Sequence, residues 1–584
     1  LLYEPGKRSG ARSTQLRSPA DALRRNTSGQ RRKGSHTMHE AYFRIIAGGL
    51  HGELAVLSVD EVLRHLANYR ANFHLDRDLA VCYMNRLLKE LSTPEAPRVL
   101  NAVGELLGKS LQLSPFEIVN TRTKPLLDNP DTRLKIEILD STNAEPETFG
   151  MIDGLDLAAN ASDVAEFCRK LLAAYPNYAL AAGKLLAAQA VLGQSPDDWL
   201  PAFRCPRRLA DDFNAMLLLH RVALGQAEEA ERLFLALPNH ARGEVVLNAA
   251  AEAARMLGDT QAAIARYSGS LRLDPAQGAV RFRLAELMNP SRKRPELVER
   301  RKVGICLYTY NKAALLKSTL ESLAASNIGG AGVTVLVNGC TDESLAVAEA
   351  ARPLFPGGYT VIPLHVNIGA PAARNWLIHL PGMLDNDYVA FLDDDVDVPA
   401  DWLEWYLTLA EADPKVGAVG GKIVYPGAPA MLQYLFRYVS VANGQLLKLN
   451  LGAPKNQYDF GFYDFIRETR SVMGCLHLLR SEALRRVPSF DIRFSPSQVD
   501  DIDHDLCLCL AGYKVMYCGH VACVHHQSSG LGDKTDWSDA PRIGNGIGND
   551  VKLFYKHYGN MEALQRLDNL SLLPPEWRPA GAAG

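Results

Sequence analysis

The hydrophobic pattern takes three successive forms along the chain. From His39 to about Asn160 apolar residues recur every three or four positions, as in residues 59–66 and 79–91. This spacing predicts mainly helix, broken by the polar, proline-containing stretch 126–148. Between about Asp163 and Leu287 the chain becomes a run of Ala- and Leu-rich amphipathic helices with short turns. Here it repeats: Gly193, Gly225 and Gly258 are 32 and 33 residues apart, and Phe234 and Tyr267 are 33 apart. After Lys302 the texture switches again. Residues 303–308, 333–337, 360–366, 388–392 and 416–424 are short apolar runs that predict strands, separated by helical patterns at 312–325, 343–351, 370–380 and 401–412. Such alternation implies right-handed crossovers and a mostly parallel sheet covered on both faces, with ligands beyond the carboxyl ends of its strands.

With 584 residues the chain exceeds what one hydrophobic core supports. The expected organisation is a leader (1–38), a mainly helical segment without recognisable chemistry (39–160), helical repeats (161–295), an α/β domain (300–535) and a helical extension (536–584). The basic, proline-flanked residues 289–302 read as the linker before the α/β domain. The clearest repeat runs from Asn248 through Gly258, Ala263, Tyr267 and Leu273 to Asp274 and Pro275, and resembles a tetratricopeptide repeat. That resemblance implies paired helices stacked into a curved surface that binds a peptide or protein partner, or braces the neighbouring domain.

Composition narrows the class. The chain is 47% hydrophobic and 22% charged, with a formal net charge of −3, as in ordinary globular proteins. Residues 1–38 carry nine Lys or Arg against Glu4 and Asp21, with little apolar periodicity, so the leader reads as disordered rather than as a nucleic-acid-binding arm. It is compatible with a vector-derived or over-extended start and stays outside the fold argument. No stretch approaches the roughly 18 to 20 apolar residues of a membrane span, and no secretory signal is evident. The expected location is cytoplasmic, at most peripheral to a membrane. Ten cysteines are too sparse for a disulfide scaffold and include no C-x-x-C pair, so they read as reduced thiols.

Two acidic constellations could carry chemistry. Asp393-Asp394-Asp395 follows the apolar run 388–392, with Asp397 and Pro399 just beyond, so the acids arrive at a strand end. Carboxylates packed this closely repel unless a cation neutralises them, and a hard divalent ion shared with substrate phosphates would do so; a solvated acidic loop is the alternative. Downstream, Asp500-Asp501-Ile502-Asp503 opens a helical pattern, where the pair could act as general base or simply cap the helix. His525, with His526 beside it, could complete a metal site or close a strand-end hydrogen bond.

In order and spacing these segments resemble the family 2 glycosyltransferases, with Asp393 and Asp395 as the Asp-any-Asp acids. Thr309-Tyr310-Asn311 matches the family's nucleotide-contacting loop, and Asn338-Gly339-Cys340-Thr341-Asp342 matches its Asn-Gly-Ser-Thr-Asp stretch. Asn367-Ile368-Gly369 with Arg374-Asn375 matches the donor-side turn and helix, and Gly474 the small residue near the sugar pocket. The resemblance implies a GT-A fold, Mn²⁺ or Mg²⁺ on Asp393, Asp395 and His525, and a nucleotide-diphosphate sugar donor, a UDP-sugar by the family's habit, contacted also by Asp394. Val337 stands where the family's base-holding Asp usually is, and Cys507 where an Arg often follows the acidic pair. Asp501, with Asp500, takes the place of the general base, which implies inversion at the anomeric carbon. The Gln-x-x-Arg-Trp signature of processive synthases is absent from the sequence, so single additions to a glycan or protein acceptor are expected. Two alternatives remain: an inactive transferase-like adaptor, and a nucleotidyltransferase, for which the Gly-rich, Lys- or Arg-bearing phosphate loop after the first strand is missing.

Overall fold

A computed structural model describes residues 49–116, 130–155, 157–440, 450–452, 457–526 and 540–567. The leader lies outside these residues, as does part of the carboxy-terminal extension. The described residues fall within one compact unit.

The first half is helical. Val59–Asn72 opens with a capping box in which Ser58 and Glu61 satisfy each other's backbone N–H groups. The stretch expected to break the helices is itself partly helical, at Pro130–Thr142 and Pro146–Asp153, while 117–129 lies outside the described residues. Each proline sits in a first turn, where its missing N–H costs nothing. The three periodic glycines all adopt left-handed backbone at helix ends, with φ of 64°, 70° and 83° at Gly193, Gly225 and Gly258. Each therefore closes a helix so that the next can fold back. Between those turns Ala249, Ala250 and Ala253 are fully buried in Glu244–Met256, where short side chains let Thr260–Leu273 approach closely.

The second half builds one large sheet from β1 (Val303–Thr309), β2 (Gly332–Asn338), β3 (Tyr359–Leu364), β4 (Tyr388–Leu392), β5 (Val396–Asp397), β6 (Val416–Val424), β7 (Leu432–Tyr434), β10 (Ile466–Thr469), β11 (Leu476–Arg480) and β12 (Lys514–His525), with β8 (Tyr438–Ser440) and β9 (Asn450–Gly452) as a separate hairpin. The order is β10-β12-β6-β11-β4-β1-β2-β3. The β4-β1-β2-β3 half is parallel, as crossover helices require. β11 runs antiparallel between β4 and β6, so the sheet is mixed. β4 and β6 are buried along their whole length, which is why they read as apolar runs, broken in β6 by Lys422, whose buried ammonium pairs with Asp459 and Asp464.

The helices lie directly against this sheet. Phe73 stacks on Phe436 at 4.8 Å between centroids, and Arg467 lies over both Phe282 and Phe436. Buried Glu252 holds Arg283 at 2.8 Å, and Arg283 donates onward to the Asp464 carbonyl at 2.7 Å.

Candidate functional site

The carboxyl ends of β1, β2 and β4 open on one side of the sheet and deliver most of the acidic and loop residues to it. After Leu392 the Asp393 N–H donates to the Cys475 carbonyl at 3.0 Å, and β5 then pairs with the end of β12. The acidic turn is thus clamped between the start of one strand and the end of another. Asp395 Oδ1 lies 3.1 Å from His525 Nε2, and His526 Nε2 lies 2.6 Å from Asp397 Oδ2. The two adjacent histidines therefore serve different acids.

Ligand atoms of Asp393, Asp395 and His525 all lie within 4.8 Å of one another. His525 Nδ1 lies 2.9 Å from Gln433 Oε1, which accepts from that nitrogen when it carries a proton. A ring protonated on Nδ1 alone turns its Nε2 lone pair toward the Asp395 carboxylate, where a divalent ion would bridge the two, whereas a ring protonated on both nitrogens donates to Asp395 directly. Two carboxylates and an oriented imidazole suit Mn²⁺ or Mg²⁺, so the residues fit the ion that the sequence motif implies. Burial pushes the carboxyl groups of Asp393 and Asp394 above their ordinary range, with Arg374 and Lys312 respectively working against it. Burial acts on Asp395 too, but His525 and Lys312 outweigh it and hold that acid at about 2.

The loops after β1, β2 and β3 are tied mostly to one another. Asn338 Oδ1 accepts from the Ile368 N–H and its Nδ2 donates to Asn367 Oδ1, which also accepts from the Gly369 N–H. Asp342 accepts from the Ala313 and Ser344 N–H groups, and Asn311, at φ 53°, accepts from the Thr341 N–H. The Cys340 thiol donates to the Thr309 carbonyl and accepts from the Asn311 N–H. These side chains shape the loops, while Tyr310 stays 47% exposed beside them.

Arg374 joins the Asp393 side of the site to the Asp500–Asp501 side. Its Nη1 is 2.5 Å from Asp500 Oδ2, and its Nη2 is 3.7 Å from Asp393 Oδ1 and donates to the Gly474 carbonyl at 3.3 Å. The Asp500 carboxyl, buried, is pushed up to about 6 by desolvation, with Arg374 pulling against it. Asp501 is partly accessible, and its Oδ2 accepts from the Gly474 N–H at 2.9 Å. A Cβ on Gly474 would sit 2.7 Å from Arg374 Nη2 and 2.9 Å from Asp501 Cβ, so only glycine fits there. Asp393, Asp395, Arg374, Gly474, Asp500 and Asp501 thus form one connected group.

Three contributors were passed over in the sequence. Tyr308 donates its hydroxyl to Asp393 at 3.1 Å, Gln433 orients His525, and Lys312 places its ammonium 3.1 Å from Asp394 and 2.8 Å from Asp395. Only Lys312 had a readable signal, a cation directly after the strand-end Thr-Tyr-Asn. A second trio, Asp503, Cys507 and His557, also converges, but Lys556 already pairs with Asp503 at 2.5 Å and His557 Nδ1 has no acceptor among the described residues. It holds the helix Ala540–His557 against the helix Asp500–Leu510 as an ion-pair network. All ten cysteines are free.

The acid-tipped strand end thus faces a second acidic pair across Arg374. Residues 304–468 match the family model for glycosyl transferase family 2. The chain is 27% identical over 161 residues to the O-antigen biosynthesis protein RfbC of Myxococcus xanthus, covering 27% of this chain and 12% of that protein. It is 35% identical over 126 residues to the succinoglycan biosynthesis protein ExoM of Rhizobium meliloti, covering 20% and 37%. The match thus spans well under half the length of either relative. Among solved structures, the mannosyltransferase PcManGT of Pyrobaculum calidifontis, in complex with GDP-Man and Mn²⁺, aligns at TM-score 0.31 and 17% identity over 52% of this chain and 87% of that one. GalNAc-T7 with UDP, GalNAc and Mn²⁺ aligns at TM-score 0.33 and 11% identity over 39% and 43%. No described helix is long and apolar enough to cross a membrane.

Proposed function

We propose that the chain is a metal-dependent, inverting glycosyltransferase that moves a sugar from a nucleotide-diphosphate donor to an acceptor hydroxyl. The observation that carries this reading is Arg374, which ties the Asp393 side of the site to the Asp500–Asp501 side within one ion-pair chain. Asp393, Asp395 and His525 would hold Mn²⁺ or Mg²⁺, with Gln433 fixing the imidazole. The ion, when bound, supplies positive charge for the leaving diphosphate. Tyr308 and Arg374 keep Asp393 in place, and the loops at Thr309–Asn311, Asn338–Asp342 and Asn367–Gly369 frame the nucleotide. Asp501, aimed by the Gly474 N–H, takes the proton from the acceptor hydroxyl, while Asp500 stays on Arg374. One base and one displacement give inversion.

A UDP-sugar is the leading donor, with GDP-sugars the alternative because Val337 replaces the family's base-holding Asp. The two relatives are named for polysaccharide biosynthesis, which supports a glycan-precursor acceptor. The periodic helix turns support a tetratricopeptide-like array that would bind a protein partner or brace the sheet. Asp501→Asn tests the assignment: transfer should fall at least about a hundredfold while UDP binding stays near wild type. A variant that transfers normally would remove Asp501 from the mechanism.

A further inference from the structure

Lys312 has no place in the roles assigned so far, yet its ammonium sits inside the acidic cluster. It lies 2.8 Å from Asp395 Oδ2 and 3.1 Å from Asp394 Oδ1, while the other oxygen of Asp395 faces His525. The lysine therefore uses one oxygen of the carboxylate that the metal reading requires, and uses Asp394 as a second anchor outside the ligand trio. A divalent ion on Asp395 would place two positive centres on one carboxylate, and they repel at this range. The side chain of Lys312 is 38% exposed, so its head is free to turn toward the open side of the site. It is also a flexible point charge that exchanges partners readily, unlike a forked guanidinium.

We propose that Lys312 is an exchangeable counter-cation. It neutralises the strand end before metal arrives, then transfers to the donor diphosphate, so that metal and nucleotide bind cooperatively. Asp394 is the staging point, because it anchors the ammonium without belonging to the ligand trio. The inference rests on the metal-dependent donor reading above and adds a residue that links the two ligands. Coupling of this kind is reciprocal: whatever UDP does to Mn²⁺ affinity, Mn²⁺ does equally to UDP affinity.

The test is Mn²⁺ titration followed by the electron paramagnetic resonance of free Mn²⁺, with and without UDP or GDP. Wild type, Lys312→Met, Lys312→Arg and Asp395→Ala are compared, with a thermal melt to confirm folding. Wild type should bind Mn²⁺ weakly alone and about tenfold more tightly with the nucleotide. Lys312→Met should bind Mn²⁺ about tenfold more tightly alone, because a competing cation is gone, and should lose most of the nucleotide's enhancement. Lys312→Arg should bind Mn²⁺ alone no more tightly than wild type and should show less of the nucleotide's enhancement, because a forked guanidinium leaves the two acids less readily. Unchanged or weaker Mn²⁺ binding by Lys312→Met, or full retention of the enhancement, overturns the role of Lys312 alone. Wild type binding no Mn²⁺ under any condition overturns the metal reading as well.

Discussion

Gly474→Ala is the smallest change that should separate the catalytic arrangement from the fold. The added methyl would lie 2.7 Å from Arg374 Nη2, 2.9 Å from Asp501 Cβ and 3.1 Å from Asp501 Oδ2, where carbon contacts normally exceed about 3.4 Å. Arg374 cannot simply retreat, because Asp500 holds its other nitrogen at 2.5 Å. The Asp501 Cβ is fixed to the first turn of its helix, so the strain falls on the carboxylate position and on its 2.9 Å bond from the Gly474 N–H. Relief requires a shift of about half an ångström or more at the proposed base. Misplacement on that scale costs up to about a hundredfold in turnover, whereas overpacking by one methyl costs about 1–3 kcal/mol of stability. The assay is donor turnover in Mn²⁺ across UDP- and GDP-sugars, run beside a denaturant melt and UDP binding. The expected result is a folded protein with near-normal UDP affinity and turnover reduced at least tenfold. Turnover within twofold of wild type would refute the claim that Gly474 sets the position of Asp501.

Glu252→Ala should cost about 3–5 kcal/mol of stability in denaturant unfolding, because it leaves Arg283 buried with its main partner gone. His504 is buried against Phe490, and desolvation pushes its imidazole down to about 4. An unfolded histidine titrates near 6.5, so the unfolded state binds the extra proton between those values. Stability is therefore fully present above about pH 6.5 and lost as pH falls toward 4, by roughly 3 kcal/mol from this group. Denaturant midpoints at pH 7 and 4.5 should show a decline that His504→Phe reduces; an equal decline in the variant would argue against the assignment.

The parallel strands and their helices were legible because each is a short apolar run ended by turn residues. β11 was not, since nothing in Leu476–Arg480 announces that it inserts antiparallel between β4 and β6. The helix Pro130–Thr142 was hidden by its own first-turn proline and polar residues, which mark a start as readily as a break. At the site, the acids and His525 stood out by residue type and spacing. Their partners did not: Arg374 meets Asp500 across 126 positions and Gln433 meets His525 across 92. Asn338, Asn367 and Asp342 are expected from the sequence as donor contacts, and their hydrogen bonds to neighbouring loops could be found only in three dimensions. Three-dimensional pairing of this sort leaves no local periodicity to read.

The central claim is that the strand-end acids and His525 hold a divalent ion that serves a departing nucleoside diphosphate. Its most direct test is product analysis after incubation with a panel of nucleotide sugars and Mn²⁺, for wild type and Asp395→Ala. Wild type should release nucleoside diphosphate only when metal is present, and Asp395→Ala should release none above background. Release of pyrophosphate instead, or equal activity in Asp395→Ala, would contradict the account.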